Sequence, residues 1–180
     1  MVQGGKEMIN STLTLSRPAI NWLLKMQKKL DLEIKKKKDI TNREWKEEFT
    51  AKHSLAINIE VSEFINECHD LWKYWKNKPV NKERILDEAI DVLHFIMLHW
   101  IKLNGKGETL WNTHRLYAEG VADLPVDDVA LEQLQNHDDI AMKLAILLKV
   151  LEHYGFTEQD IIEQYKRKNA INFERLEEGY

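Results

Sequence analysis

Apolar side chains recur every three or four residues over most of this chain, the period of an amphipathic helix. Ile20, Leu23, Leu24, Gln27, Leu30 and Ile34 mark a first helix. Ser16 stands where a cap is needed, and Pro18 falls in the first turn, where a missing N–H is harmless. The basic run Lys35 to Lys38 reads as the solvated end of that helix, where cations oppose the dipole. Thr41-Asn-Arg-Glu44 reads as a capping box before a short helix, and the chain from Ala51 to Asp70 continues as a long one. An aromatic and basic stretch, Leu71 to Asn77, follows; Pro79 breaks the helix and Asn81 can cap the next, from about Lys82 to Leu103.

Residues 104–126 are less periodic. Gly105, Gly107, Gly120 and Pro125 predict short helical pieces and loops there. Helical spacing returns from Val126 to Tyr154, with a break expected near Asn136-His137 and an apolar face of Met142, Leu144, Ala145, Leu147, Leu148 and Leu151. Gly155 ends that segment, and Thr157-Glu-Gln-Asp160 opens the last helix. No strand pattern stands out. The expectation is an all-α, multi-helix bundle forming a single domain over residues 1–180, with residues 1–16 loosely ordered and 104–126 irregular.

Composition narrows the function classes. The chain has 180 residues and a formal net charge of −4, which argues against general attraction to nucleic acid or anionic membrane. No apolar run approaches the ~18 residues that span a bilayer, and no signal peptide is visible. The single cysteine, Cys68, excludes an internal disulfide and fits a reducing, cytoplasmic setting. Although His69 lies beside it, a helical cysteine behaves first as a small apolar residue.

The chemistry lies in two carboxylate pairs, Glu60-Val-Ser-Glu63 and Glu88-Ala-Ile-Asp91. Residues three apart on a helix share a face, and both pairs are set among apolar neighbours. Carboxylates on a core-facing stripe are costly unless neutralised. Two such helices packed together gather four like charges, which a divalent cation relieves. All-oxygen ligation suits magnesium, manganese or calcium rather than zinc. On the last helix Lys168, Asn172 and Arg175 fall at i, i+4 and i+7, a strip of two cations and an amide suited to phosphate oxygens. Metal ions on one side and phosphates on the other describe a nucleoside triphosphate site.

With these motifs the chain resembles the all-α nucleoside triphosphate pyrophosphatases, which include the MazG-like proteins and the dimeric dUTPases. The Glu60-x-x-Glu63 and Glu88-x-x-Asp91 signature marks the superfamily. Gln27-Lys-Lys-Leu30, Trp72-Lys-Tyr-Trp75-Lys76-Asn77, Asp91-Val-Leu-His94-Phe95 and Lys168-Asn169-Ala-Ile-Asn172-Phe-Glu-Arg175 resemble the dimeric dUTPases in particular. The resemblance implies magnesium-dependent hydrolysis of dUTP to dUMP and pyrophosphate, with two or three ions per site and manganese as a substitute. It implies Glu60, Glu63, Glu88 and Asp91 as metal ligands, with Glu63, or else Glu60, taking the proton of the attacking water. Gln27 would lie near uracil, His94 and Phe95 near the deoxyribose, Trp75 and Asn169 close to the nucleoside, and Lys168, Asn172 and Arg175 at the phosphates. A homodimer is implied as well. Two positions depart from the family: Asp31 stands where asparagine is usual, and Leu176 where glutamine is usual. An ionised carboxylate only accepts hydrogen bonds, so Asp31 would repel a uracil oxygen, welcome its N3–H, or accept from a cytosine amino group. A MazG-like or dCTP-type pyrophosphatase therefore stays open as an alternative. A non-enzymatic helical interaction protein is the third reading.

Overall fold

The computed structural model describes residues 12–179, and among them only helices and their connections occur. Seven α-helices follow in order: α1 (Arg17–Lys37), α2 (Thr50–Glu67), α3 (Lys82–Lys102), α4 (Gly107–Gly120), α5 (Asp128–Asn136), α6 (Ile140–His153) and α7 (Glu158–Glu177). A π-helical turn, Glu44–Glu48, precedes α2, and a short 3₁₀ turn, His69–Leu71, follows it. The all-α expectation therefore holds.

Local signals set most boundaries. The Ser16 hydroxyl accepts from Ala19 N–H at the start of α1. Thr41 and Glu44 satisfy each other's backbone N–H groups reciprocally, as do Thr157 and Asp160. The Asn81 side chain accepts from Arg84 N–H to open α3. Asp139 caps α6, which separates it from α5 at the expected break. Gly155 takes a positive φ of 85°, the left-handed conformation that lets the chain leave α6 at little steric cost.

Two expectations need correction. Residues 107–120 form one continuous helix where irregular pieces were expected. Its two glycines punctuate rather than interrupt it, Gly107 opening α4 and Gly120 closing it. Leu110, His114 and Ala118, four apart, form its buried stripe. Residues 12–16 are also tied down rather than loose. Leu15 is fully buried and its N–H donates to His114 Nε2 at 3.2 Å, while Ser16 bonds Glu158. The same expectation for residues 1–11 lies outside the described residues.

Helix α3 is the axis of the fold, packing against α1, α2, α6 and α7. Its Ile85, Ala89, Ile90, Val92, Leu93, Ile96 and Met97 are buried. Helix α6 is apolar nearly all round, from Leu144 to Leu151. Its two buried lysines reach out to carbonyl oxygens: Lys143 Nζ donates to Leu134 at 2.6 Å and Gln135 at 3.0 Å, capping the end of α5. At ~1.5–3 kcal/mol per large side chain, this core fixes α3 rigidly. The candidate site residues of α3, Glu88, Asp91, His94 and Phe95, stand on its face turned toward α1, α2 and α7.

Candidate active site

A cavity of about 610 Å³ opens among α1, α2, α3 and α7. Its wall includes Gln27 and Asp31 of α1, Glu60 of α2, Asp91, His94 and Phe95 of α3, and Asn172 and Arg175 of α7. Eight of the positions singled out from sequence thus meet around one space, although they are spread over almost 150 residues of chain.

Glu60, Glu88 and Asp91 each offer a carboxylate oxygen, and these oxygens all lie within 4.8 Å of one another. Burial pushes Glu60 up to about 7, and Asp91, Glu63 and Glu88 push it the same way. Burial also raises Glu88 and Asp91 above the usual carboxylate range. For Asp91 the desolvation outweighs its bond to Lys168. Oxygen-only donors that resist ionisation together are a good match to a hard divalent cation, whose charge would reverse those shifts. Glu63 is solvent-exposed, one turn beyond Glu60 and outside the tight trio, yet near enough to act on Glu60 and Glu88.

Opposite the carboxylates stands α7. Lys168 Nζ donates to Asp91, to Asp87 Oδ2 at 2.9 Å and to the Asp87 carbonyl at 3.1 Å. Burial works against its charge, but the bonds to Asp91 and Asp87 outweigh it and raise its pKa. Asp87 also accepts from Gln164 at 2.6 Å and from Arg167 at 3.1 Å, so it fastens α7 to α3 beside the site. Asn172 and Arg175 continue the strip into the cavity wall.

The deep end is a hydrogen-bonded cluster. Gln27 Nε2 donates to Asp31 Oδ1 at 2.7 Å, and Gln27 Oε1 accepts from the Tyr165 hydroxyl at 3.0 Å. His94 Nδ1 lies 2.8 Å from the same oxygen, which can only accept, so the proton sits on Nδ1. Burial holds His94 down at about 3, keeping it neutral, and its ring stacks on Tyr165 with centroids 4.0 Å apart. Asp31 Oδ2 and His94 Nε2, of two residues in the cavity wall, lack a hydrogen-bond partner, as does buried Asn169 Oδ1 on α7, outside the cavity lining. Orphaned acceptors are costly to bury and call for donors, which the N–H and O–H groups of a nucleoside provide.

Trp75 does not join them. It is 61% exposed and packs edge-on against Trp72 and Tyr74, away from the cavity wall. The segment before Pro79 leaves α2 through the 3₁₀ turn and carries Trp75 outward, while the Trp72 indole is anchored to the Ile65 carbonyl. Sequence reasoning missed Trp45, Phe49 and His53, which line the cavity and pack ring against ring, Trp45 to His53 at 4.6 Å. Their four-residue spacing was a legible signal of one face. It also missed Tyr165 and Asp87, whose roles depend on which helix faces which.

Clustered carboxylates beside a cationic helix, next to a cavity walled by unpaired buried acceptors, fit an all-α hydrolase of phosphorylated nucleosides. A family model described as dUTPase matches residues 19–180, and the chain belongs to that family. Its activity is dUTP diphosphatase, the hydrolysis of dUTP to dUMP and pyrophosphate. No curated protein and no solved structure matches the chain. No helix among the described residues is long and apolar enough to cross a membrane.

Proposed function

We propose that dUTP binds in the cavity between α1, α2, α3 and α7, with its base at the Gln27–Asp31 end and its phosphates between the carboxylates and α7. The observation that carries this reading is the joint presence of Gln27, His94, Glu60, Asp91, Asn172 and Arg175 on one cavity wall. Magnesium, in two or three ions with manganese as a substitute, suits Glu60, Glu88 and Asp91 with Glu63 alongside, and supplies positive charge against the triphosphate.

The protein's own groups do the rest. Glu63 is exposed and has room to take the proton of the attacking water, while Glu60, more buried, holds charge in place. Lys168 is already ion-paired at Asp91, and a triphosphate arriving beside it gives its ammonium a new anionic partner. Lys168 and Arg175 then take up charge on the departing phosphates. Phe95 packs beside the sugar and leaves little space for a 2′-hydroxyl. His94 Nε2 and Asn169 Oδ1 accept from sugar or base donors. Trp75, outside this cavity, is dropped from the substrate set.

A homodimer in the cytoplasm completes the proposal. What supports the dimer is apolar exposure on α2, where Leu55 and Ile59, one turn apart, are 61% and 46% exposed. The test of the site is magnesium-dependent pyrophosphate release from dUTP by wild type and by Glu88→Ala. Equal rates would remove the second carboxylate pair from the site.

A further inference from the structure

A second cavity, of about 710 Å³, lies between α1, the π-helical turn before α2, the end of α3 and the start of α4. It shares Asp31 and Trp45 with the substrate cavity and no other wall residue. Six lysines line it: Lys25, Lys28, Lys29 and Lys35 of α1, Lys46 of the turn, and Lys102 of α3. Those of α1 fall at i, i+3, i+4 and i+10, along one face. None of the six has an ion pair among the described residues. Lys35 donates to the Asn42 side-chain oxygen at 2.9 Å and Lys102 to the Thr50 hydroxyl at 3.0 Å, both neutral partners. The one carboxyl in the wall, Asp31, is only 3% exposed and is already engaged with Gln27.

A solvated basic face belongs to one helix and spreads its charges into water. Here three separate segments bring like charges to one concave wall, in a chain whose 30 acidic residues outnumber its 26 lysines and arginines. Cations gathered in this way repel one another, and a bound anion relieves the repulsion. We propose that this groove is a second ligand site, separate from the site of hydrolysis, for a compact polyphosphate anion. A chain of three phosphates carries enough charge to engage several lysines at once. Lysine ammonium groups are point charges on flexible stems, and they hold phosphate oxygens without a fixed geometry. The volume is that of a small-molecule site, roughly 300–1,000 Å³. The wall offers no open aromatic ring on which the bases of a nucleic acid strand could stack, Trp45 being 7% exposed. Inorganic polyphosphate and the phosphate tail of a nucleotide present the same chemistry. Because Asp31 and Trp45 line both spaces, the bound anion lies one side chain from the substrate cavity.

The experiment is calorimetry with inorganic triphosphate in metal-free buffer at pH 7.5. It compares wild type, Lys28→Gln with Lys29→Gln, Lys37→Gln with Lys78→Gln, and Arg175→Ala. The Lys37 and Lys78 pair removes the same charge from exposed lysines outside the groove. Loss of Lys28 and Lys29 should weaken binding by about tenfold or more, and the other two variants should stay within about threefold of wild type. Equal losses in the two lysine pairs overturn the inference, because net charge alone then explains the binding. So does a loss confined to Arg175→Ala, which puts the anion in the substrate cavity, and so does a wild type that binds no triphosphate. ATP serves as the second probe. Binding about tenfold tighter than triphosphate, and again lost with Lys28 and Lys29, supports the groove with a nucleotide as its source; equal affinity supports it with free polyphosphate. A duplex oligonucleotide that binds more tightly than either through the same lysines overturns the compact ligand. A measurement on wild type alone needs no variant to fold. Raising NaCl from 50 to 200 mM should weaken triphosphate binding about tenfold, and binding indifferent to salt overturns the inference.

Discussion

Replacing Glu60 by glutamine should make the metal-free protein more stable at alkaline pH. Glu60 stands within a trio of carboxylates, and burial with three acidic neighbours lifts it from 4.5 to about 7. A carboxyl whose folded-state pKa exceeds its unfolded value binds its proton more tightly when folded. Its favourable contribution is present below about pH 4.5 and is lost as pH rises toward 7. A shift of that size corresponds to roughly 3 kcal/mol at ~1.4 kcal/mol per unit. Glu60 is only partly buried, so solvent screening reduces this to about 1–2 kcal/mol. In chelator at pH 8, Glu60→Gln should therefore melt about 2–8 °C above wild type. At pH 4 the two should melt together, because Glu60 is then protonated in both states. With magnesium in excess the order should reverse, since ligand binding stabilises the wild type and the variant has lost a ligand. Thermal denaturation followed by circular dichroism in these three conditions tests the chain of reasoning. A Glu60→Gln protein less stable than wild type in chelator at pH 8 would refute it.

Other perturbations separate the roles around the cavity. Glu63→Gln should keep the helical circular dichroism spectrum and lose nearly all pyrophosphate release; activity within a few-fold of wild type would take Glu63 out of proton transfer. Glu88→Ala combined with Asp91→Ala should abolish the magnesium-dependent rise in melting temperature, and an unchanged rise would place the metal elsewhere. Arg175→Ala should weaken binding of a non-hydrolysable dUTP analogue by roughly a hundredfold, or ~2–3 kcal/mol, and dUMP far less; equal losses in calorimetry would move Arg175 away from the distal phosphates. Trp75→Ala should leave KM for dUTP within about twofold of wild type, because its ring packs outside the cavity; a tenfold rise would return it to the substrate set.

The helices and many of their ends were legible because the signals are local. Ser16, Asn81 and the Thr157–Asp160 box act within three residues of themselves, and apolar periodicity needs only neighbouring turns. The two carboxylate pairs were legible for the same reason, since i, i+3 spacing guarantees one face whatever the fold. The error at residues 107–120 came from weighing glycines as breakers. They cost a helix little at its ends, and their position relative to the buried stripe of Leu110, His114 and Ala118 decides the matter.

What the sequence by itself determined, then, was everything carried by contacts within a few turns: an all-α chain, two acidic faces, a cationic face on the last helix, and a glutamine and a histidine on apolar stripes. Tertiary packing alone decided which of these faces meet. Glu60 joins Glu88 and Asp91 while Glu63 stays at the solvent edge, because α2 is rotated so that Ile57, Val61 and Phe64 fill the core. Asp87, one residue from a predicted ligand, becomes the clasp for α7 only because Lys168, Arg167 and Gln164 lie across from it. Gln27 could not be seen to have lost its carbonyl until Tyr165, 138 residues away, and His94 were found holding it. Such pairings depend on the distance and rotation between helices, set by the summed fit of the whole core, and no short stretch of chain encodes that sum.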